Sequence, residues 1–352
     1  VSTTAPATTP AAAHTRACPR RQAIVITGAG GEVGHGLIHR LSEASATPIV
    51  ALDLRPLDEG LARRCSAVFT GDVRDPLALA PVLARYEIAQ VYHLAALLST
   101  TGERQPELAH EVNVQGTMHV LRVAAEQARA VGRAVRFIYP SSIAVYGLHG
   151  ERAKLAAGKV REDEHLRPIT MYGVNKLACE RLGVYYSEHY RLLDDEPPPI
   201  DFRCVRYPGL ISPSTTPSGG TSDYGPLMLH AAARGERGAC FVPPEARLPF
   251  MLMGDAIDAT LALARADSPS QRVYNLASFA PTAGEMADAI ARAFPGFAVD
   301  YQVDASRARI VASWPGDVDR SAARRDLGVD VDRPFGSVVA DELAPAIKSL
   351  YA

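Results

Sequence analysis

Ala23-Ile24-Val25-Ile26-Thr27-Gly28-Ala29-Gly30-Gly31-Glu32-Val33-Gly34 decides the fold. Five uncharged residues, four of them β-branched, run straight into a glycine. That pattern predicts a strand buried on both faces, as in the interior of a parallel sheet. Gly28, Gly31 and Gly34 then recur at intervals of three, and Gly34 to Ser45 has helical spacing. Glycine also serves ordinary turns, so the triplet alone says little. Between a strand and a helix it has a physical use. The chain turns tightly and lets a diphosphate approach the helix N-terminus, where free N–H groups and the helix dipole favour negative charge.

Working outward, the same alternation continues. Thr47–Leu54, Ala67–Thr70, Ile88–Leu94, Val135–Tyr139 and Asp201–Tyr207 read as further strands, and Leu77–Tyr86, Glu107–Val131 and Met171–Tyr190 as helices. Strands alternating with helices imply an α/β fold, a Rossmann-type doubly wound parallel sheet that binds ligands at the carboxyl ends of its strands. Beyond Tyr207 the composition changes. Residues 208–225 are rich in Pro, Ser, Thr and Gly and read as a long loop, of the kind that acts as a lid or simply lies on the surface. Asp255–Ala266 and Ala283–Ala293 read as helices among short strands. The expected division is a disordered tail over 1–21, a dinucleotide-binding domain over 22–196, and a smaller C-terminal substrate-capping subdomain over 197–352 that returns some segments to the first.

Composition narrows the function classes. The 352 residues carry 37 Lys+Arg and 39 Asp+Glu, so the net charge of -2 gives no basic footprint for nucleic acid. No apolar run is long enough for a membrane span. Cys18, Cys65, Cys179, Cys204 and Cys240 form no C-x-x-C pair, and the histidines have no zinc-ligand spacing, so no metal is expected. Scattered thiols fit a reducing compartment. The expected location is cytoplasmic. A mitochondrial matrix location is the alternative, should the Ala/Thr/Pro-rich tail with Arg16, Arg20 and Arg21 be a transit segment.

The strand ends carry the chemistry. Asp53 closes the second strand, where a carboxylate accepts from the ribose hydroxyls of an adenosine and repels the extra phosphate of NADP, which favours NAD although Arg55 is near. Asp72 and Val73 follow the third strand, at the place where an acid can hold the adenine amino group. Leu94, Ala95 and Ala96 close the fourth with small residues. The fifth ends at Ser141-Ser142, and the helix that follows carries Tyr172 and Lys176 four apart, on one face. A free phenol is protonated at neutral pH. A neighbouring ammonium and a positive nicotinamide ring favour the phenolate, which makes Tyr172 a candidate general base for an alcohol proton, with Ser142 hydrogen-bonded to the same oxygen. A Tyr and a Lys four apart often arise by chance. They gain weight here from the glycine loop and the Ser-Ser strand end.

With these residues in place the chain resembles the extended short-chain dehydrogenase/reductase family, the group of the UDP-galactose epimerases, over roughly residues 22 to 335. Within it, His93-Leu94-Ala95-Ala96-Leu97-Leu98-Ser99, Pro140 to Gly147, Arg206-Tyr207-Pro208-Gly209-Leu210-Ile211-Ser212, Gly219 to Tyr224, Arg247 to Met251 and Ser313-Trp314-Pro315 resemble segments of the short-chain-type L-threonine 3-dehydrogenases. It departs from that pattern at Asn175 and Ser222, where Thr is expected, and at Ala312, where an acid is common. The resemblance implies NAD-dependent oxidation of the β-hydroxyl of L-threonine to 2-amino-3-ketobutyrate. Tyr172, Lys176 and Ser142 would be catalytic, with Lys176 binding the nicotinamide ribose and holding Tyr172 acidic. The cofactor contacts it implies are Gly28, Gly31, Glu32, Val33, Gly34, Asp53, Asp72, Val73, Leu94, Ala95, Ala96, Asn113, Tyr172, Lys176, Tyr207, Gly209 and Leu210. The substrate contacts are Ser99, Ser142, Tyr172, Thr221 and Trp314, although the sole tryptophan serves equally well as plain core. Related enzymes dimerise through the helix pair matched here by 107–131 and 171–190, so a homodimer is expected.

Three other readings stay open. A sugar-nucleotide epimerase or dehydratase shares the Tyr–Lys pair and would use a polar residue in place of Pro208-Gly209. Another small hydroxy-acid dehydrogenase of the same family fits the same residues. A non-enzymatic NAD-sensing regulator would keep the glycine loop and lose the pair.

Overall fold

The computed structural model describes residues 20–193, 196–217, 219–329 and 332–351. The tail read over 1–21 lies outside the described residues up to 19, and Arg21 already begins the first strand, β1 (Arg21–Thr27). β2 (Ile49–Asp53), β3 (Ala67–Thr70), β4 (Tyr86–His93), β5 (Val135–Ser142), β6 (Ile200–Tyr207) and β7 (Val273–Asn275) join it in one sheet of order β7-β6-β5-β4-β1-β2-β3, parallel at every pairing. The order reverses beside β1, so the carboxyl ends of β1 and β4 open the crevice where a doubly wound sheet takes its ligand.

β1 shows why the sequence folds this way. Ile24 and Ile26 face one side and pack with Leu37, Ile38 and Leu41 of α1 (Glu32–Ala44) and with Ile257 and Leu261 of a later helix. Ala23 and Val25 face the other side and meet Val120, Leu121 and Ala124 of α2 (Gly116–Val131). A strand covered on both faces has no polar side, hence the unbroken apolar run. Each such aliphatic side chain contributes about 1.5–3 kcal/mol on burial.

α2 is the end of a longer helical stretch, Pro106–His110, then a π-helical turn Glu111–Gln115, then Gly116–Val131. α3 (Met171–Val184) is likewise followed by a π-turn, Tyr185–His189. The loop expected over 208–225 is more ordered than its composition implies. Gly209–Ile211 pairs in parallel with Phe250–Leu252, and Tyr224 already starts α4 (Tyr224–Ala233). Short β-branched and aromatic strands of three residues, such as Val273-Tyr274-Asn275, have too little pattern to stand out. α5 (Met253–Arg265) returns to cover the sheet opposite α2. The remaining segments close around a second apolar cluster that includes Tyr224, Phe241, Phe250, Met286 and Trp314. Among the described residues no helix is long and apolar enough to cross a membrane, and no group of His, Cys, Asp or Glu is arranged to hold a metal.

Candidate active site

The glycine loop is built from three different needs. Gly28 has φ +68°, and a Cβ there would stand 2.5 Å from Ala95 N, so only glycine lets β1 pass under the end of β4. A Cβ at Gly34 would lie 2.3 Å from Ala29 O, so Gly34 lets α1 start against the strand. Gly31 is different. A Cβ there meets only Gly28 O at 3.4 Å, an ordinary contact, so the protein itself does not demand glycine. The space it leaves belongs to a cavity of about 580 Å³, lined by Gly28, Gly30, Gly31, Asp53, Asp72, Val73 and Leu94 to Leu97. α1 opens from Gly31 without a side-chain cap, with Glu32 and Val33 in its first turn. Its first N–H groups are therefore donors for an anion.

Asp53 is fixed at the cavity wall. Its Oδ2 accepts from Gly30 N at 2.8 Å and its Oδ1 from Arg55 N at 3.1 Å, which aims the carboxylate and leaves it lone pairs to spare. Asp72 is placed in the same wall, and Arg74 grips it through Nε at 2.9 Å and Nη2 at 2.6 Å, holding its carboxyl below the usual range. Asn113 stands one layer behind. Its amide accepts from Leu97 N at 2.7 Å and donates to Leu97 O at 3.0 Å, so it pins the segment after β4 and is not among the cavity-lining residues. Acceptor, anion donors and cavity together fit the adenosine and diphosphate of a dinucleotide.

The candidate catalytic residues meet because of Gly173. Thr170 caps α3 by accepting from Gly173 N at 3.1 Å, and a Cβ on Gly173 would stand 2.0 Å from Ala144 O. α3 thus lies directly on the backbone that follows Ser142, and Tyr172 comes beside the Ser142 hydroxyl. Burial pushes the Tyr172 phenol up to about 12, with the Ser142 hydrogen bond working the other way. Lys176 is buried too, which pulls its ammonium down to about 8. Its Nζ donates to Pro140 O at 2.7 Å and stands 4.5 Å from the Tyr139 ring centroid and 5.6 Å from that of Tyr172. Desolvation is thus the largest influence on the Tyr172 phenol, with the Ser142 hydrogen bond opposing it.

The residues expected at the substrate are brought to the same end of the sheet. Ser99 and Thr221, remote in sequence and both buried, stand 3.1 Å apart between their hydroxyl oxygens. Ser99 opens the helix Ser99–Arg104, whose Gly102 lies against Tyr172. Trp314 is buried in the apolar cluster against which Tyr172 packs, and its Nε1 has no hydrogen-bond partner among the described residues. Gly209 leaves no room for a side chain, since a Cβ would lie 2.5 Å from the Phe250 ring. Tyr207 turns towards α5, its hydroxyl 2.6 Å from that of Thr260, and Leu210 is half-buried beside it.

A buried network escaped the sequence reading. Arg206 on β6 donates from Nε and Nη2 to Glu180 on α3 at 2.8 and 2.7 Å, and from Nη1 to Tyr146 OH at 2.7 Å, while that hydroxyl donates to Asn275 Oδ1 at 2.7 Å. It locks α3, β6 and β7 together behind Tyr172. The signal was present. An arginine inside an apolar strand needs a carboxylate, and Glu180 shares the four-residue spacing of Tyr172 and Lys176.

A family model described as the NAD dependent epimerase/dehydratase family matches residues 24–277. The chain belongs to that family. As a family member it is 35% identical over 311 residues to a mitochondrial L-threonine 3-dehydrogenase of Bos taurus, covering 88% of this chain and 78% of the relative. Among solved structures it is similar to the holo form of the GalE-like L-threonine dehydrogenase of Cupriavidus necator, with 36% identity, a TM-score of 0.81, and 92% and 99% of the two chains covered. It is also similar to an apo L-threonine 3-dehydrogenase from a metagenome, named as monomeric, with 34% identity, a TM-score of 0.81, and 94% and 100% covered. The resemblance to extended short-chain dehydrogenases read from the motifs therefore holds over most of the family member's length.

Proposed function

We propose that the protein is an NAD-dependent L-threonine 3-dehydrogenase. The observation that carries this is the convergence of Tyr172, Ser142 and Lys176 with the Ser99–Thr221 pair at one end of the sheet, beside a dinucleotide cavity. NAD would be held by the first turn of α1, Asp53 and the segment Leu94 to Ala96, and would supply a hydride acceptor. The chain's own residues do the rest. Ser142 and Tyr172 hold the β-hydroxyl oxygen of L-threonine, and Tyr172 takes its proton as the β-carbon becomes a ketone in 2-amino-3-ketobutyrate. Lys176 places a positive charge beside the phenol and would hold the ribose of the nicotinamide. Ser99 and Thr221 hold the amino and carboxylate ends, and Trp314 with its neighbours excludes water. Burial of the phenol opposes its ionisation, and the Ser142 hydrogen bond and a positive charge beside the ring favour it.

Tyr172→Phe tests the assignment. It should abolish NADH formation while leaving NAD binding, read by fluorescence titration, unchanged. Normal turnover in the variant would remove Tyr172 from the mechanism. We also propose a homodimer through α2 and α3, which present Met118, Val174 and the following Tyr185 to solvent. A monomer mass by light scattering at micromolar protein would refute it.

A further inference from the structure

Arg307 has no part in the reading above. It projects from the helix Ala305–Ser313, which runs directly into Trp314. Its Nη2 donates to Gly220 O at 2.6 Å, and its guanidinium lies 3.3 Å from the centroid of the Phe241 ring. Gly220 is joined to Thr221, whose hydroxyl is 3.1 Å from that of Ser99. One turn along the Ser99 helix, Gly102 stands against Tyr172, where an added Cβ would lie 3.8 Å from Tyr172 Cβ. A short run of contacts thus leads from the general base to the guanidinium.

Arg307 makes no direct ion pair with a carboxylate among the described residues. Asp223 and Asp304 act on it only at longer range, and neither forms a direct ion pair with it. Asp223 Oδ2 accepts from Gly219 N at 2.9 Å and Gly220 N at 2.6 Å, and Asp304 Oδ1 accepts from Ser306 N at 2.9 Å and Arg307 N at 3.0 Å. Other arginines of this half, Arg237, Arg247 and Arg333, each pair with a carboxylate. Bracing a carbonyl requires only an N–H. A half-buried guanidinium adds a charge that desolvation opposes and that an anion would compensate. Arg307 does not line the cavity beside the glycine loop, so the diphosphate of a dinucleotide is not that anion.

We propose that Arg307 is a specificity-determining residue that recognises the free carboxylate of the amino-acid substrate. This rests on the substrate placement given above for Ser99 and Thr221. The site would then take 2-amino-3-hydroxy acids and discriminate against analogues whose carboxylate is neutralised.

The test compares L-threonine with L-threoninamide, which keeps the amine and the β-hydroxyl and loses the charge. Arg307→Met should raise KM for L-threonine at least about tenfold, the loss of one charged hydrogen-bonding partner, and leave KM for the amide within about twofold. Arg307→Lys should recover part of the loss. Equal effects of Arg307→Met on both substrates would make Arg307 a mere brace for Gly220 and overturn the proposal. The same ligands are read without turnover by thermal shift on the NAD-loaded protein. Wild type should be stabilised more by L-threonine than by the amide, and Arg307→Met should abolish the difference. No difference in wild type overturns the proposal. A carboxylate-dependent shift in a protein that oxidises no threonine would discard the reaction and keep the role of Arg307.

Discussion

Gly173 is the position at which the account of the site is most exposed. A methyl group added there would stand 2.0 Å from Ala144 O and 2.9 Å from the Cβ of Pro168, where 3.4 Å is the start of ordinary contact. Relieving the overlap with the carbonyl therefore requires more than 1 Å of separation between α3 and the backbone after Ser142. Neither side yields cheaply. Ala144 N is tied to Ser142 Oγ at 3.2 Å, and α3 is bolted to β6 through Glu180 and Arg206. Overpacking of this kind costs about 1–3 kcal/mol. The larger effect is on chemistry, because moving a base by about 1 Å costs on the order of a hundredfold in rate. Gly173→Ala should thus lower kcat by about a hundredfold, with a modest drop in Tm and a smaller loss of NAD affinity, since the glycine loop on another strand is left in place while Lys176 moves with α3. The assays are near-ultraviolet absorbance of NADH, differential scanning fluorimetry and NAD titration. Wild-type kcat in a folded Gly173→Ala protein would show that the helix contact does not set the position of Tyr172.

Two further outcomes follow from buried charge. Glu180→Gln leaves Arg206 charged and unpaired in the core and should cost roughly 3–5 kcal/mol in urea unfolding, with a shift under 1 kcal/mol counting against the network. His93 lies wholly buried between Thr27 and Thr117, and burial lowers its pKa to about 3. As pH falls below the unfolded value of about 6.5 the unfolded chain gains a proton that the folded protein refuses, so stability falls, by roughly 2 kcal/mol near pH 5 and further down to about pH 3. Acid sensitivity of the unfolding free energy should therefore be shallower in His93→Asn than in wild type, and equal slopes would assign the loss to other groups.

Much of this architecture is legible in the sequence because a parallel sheet leaves no polar face. The run Ala23 to Thr27, the glycine spacing and the strand ends at Asp53, Asp72 and Ser142 all follow from that geometry. Tyr172 and Lys176 are legible through helical spacing. Other features need the third dimension. Gly209–Ile211 hides in a Pro- and Gly-rich stretch because its strand is defined by pairing with Phe250–Leu252, and β7 is too short to show a period. The grip of Arg74 on Asp72 and the closing of the Asn113 amide on Leu97 are likewise contacts that no spacing announces. The direction of the Tyr172 shift is the least legible feature, since it depends on desolvation of the phenol in the folded site, which spacing along a helix does not reveal.

The measurement closest to the central claim is the appearance of NADH when the purified protein is given L-threonine and NAD, beside parallel reactions with NADP and with UDP-galactose under an epimerase-coupled readout. The account predicts NADH from L-threonine with NAD, little reduction of NADP because the Asp53 carboxylate would repel its extra phosphate, and no turnover of the sugar nucleotide. Silence with L-threonine and turnover of UDP-galactose would contradict it, leaving the fold and the Tyr172–Ser142 pair in place and removing Ser99, Thr221 and Arg307 from the substrate site.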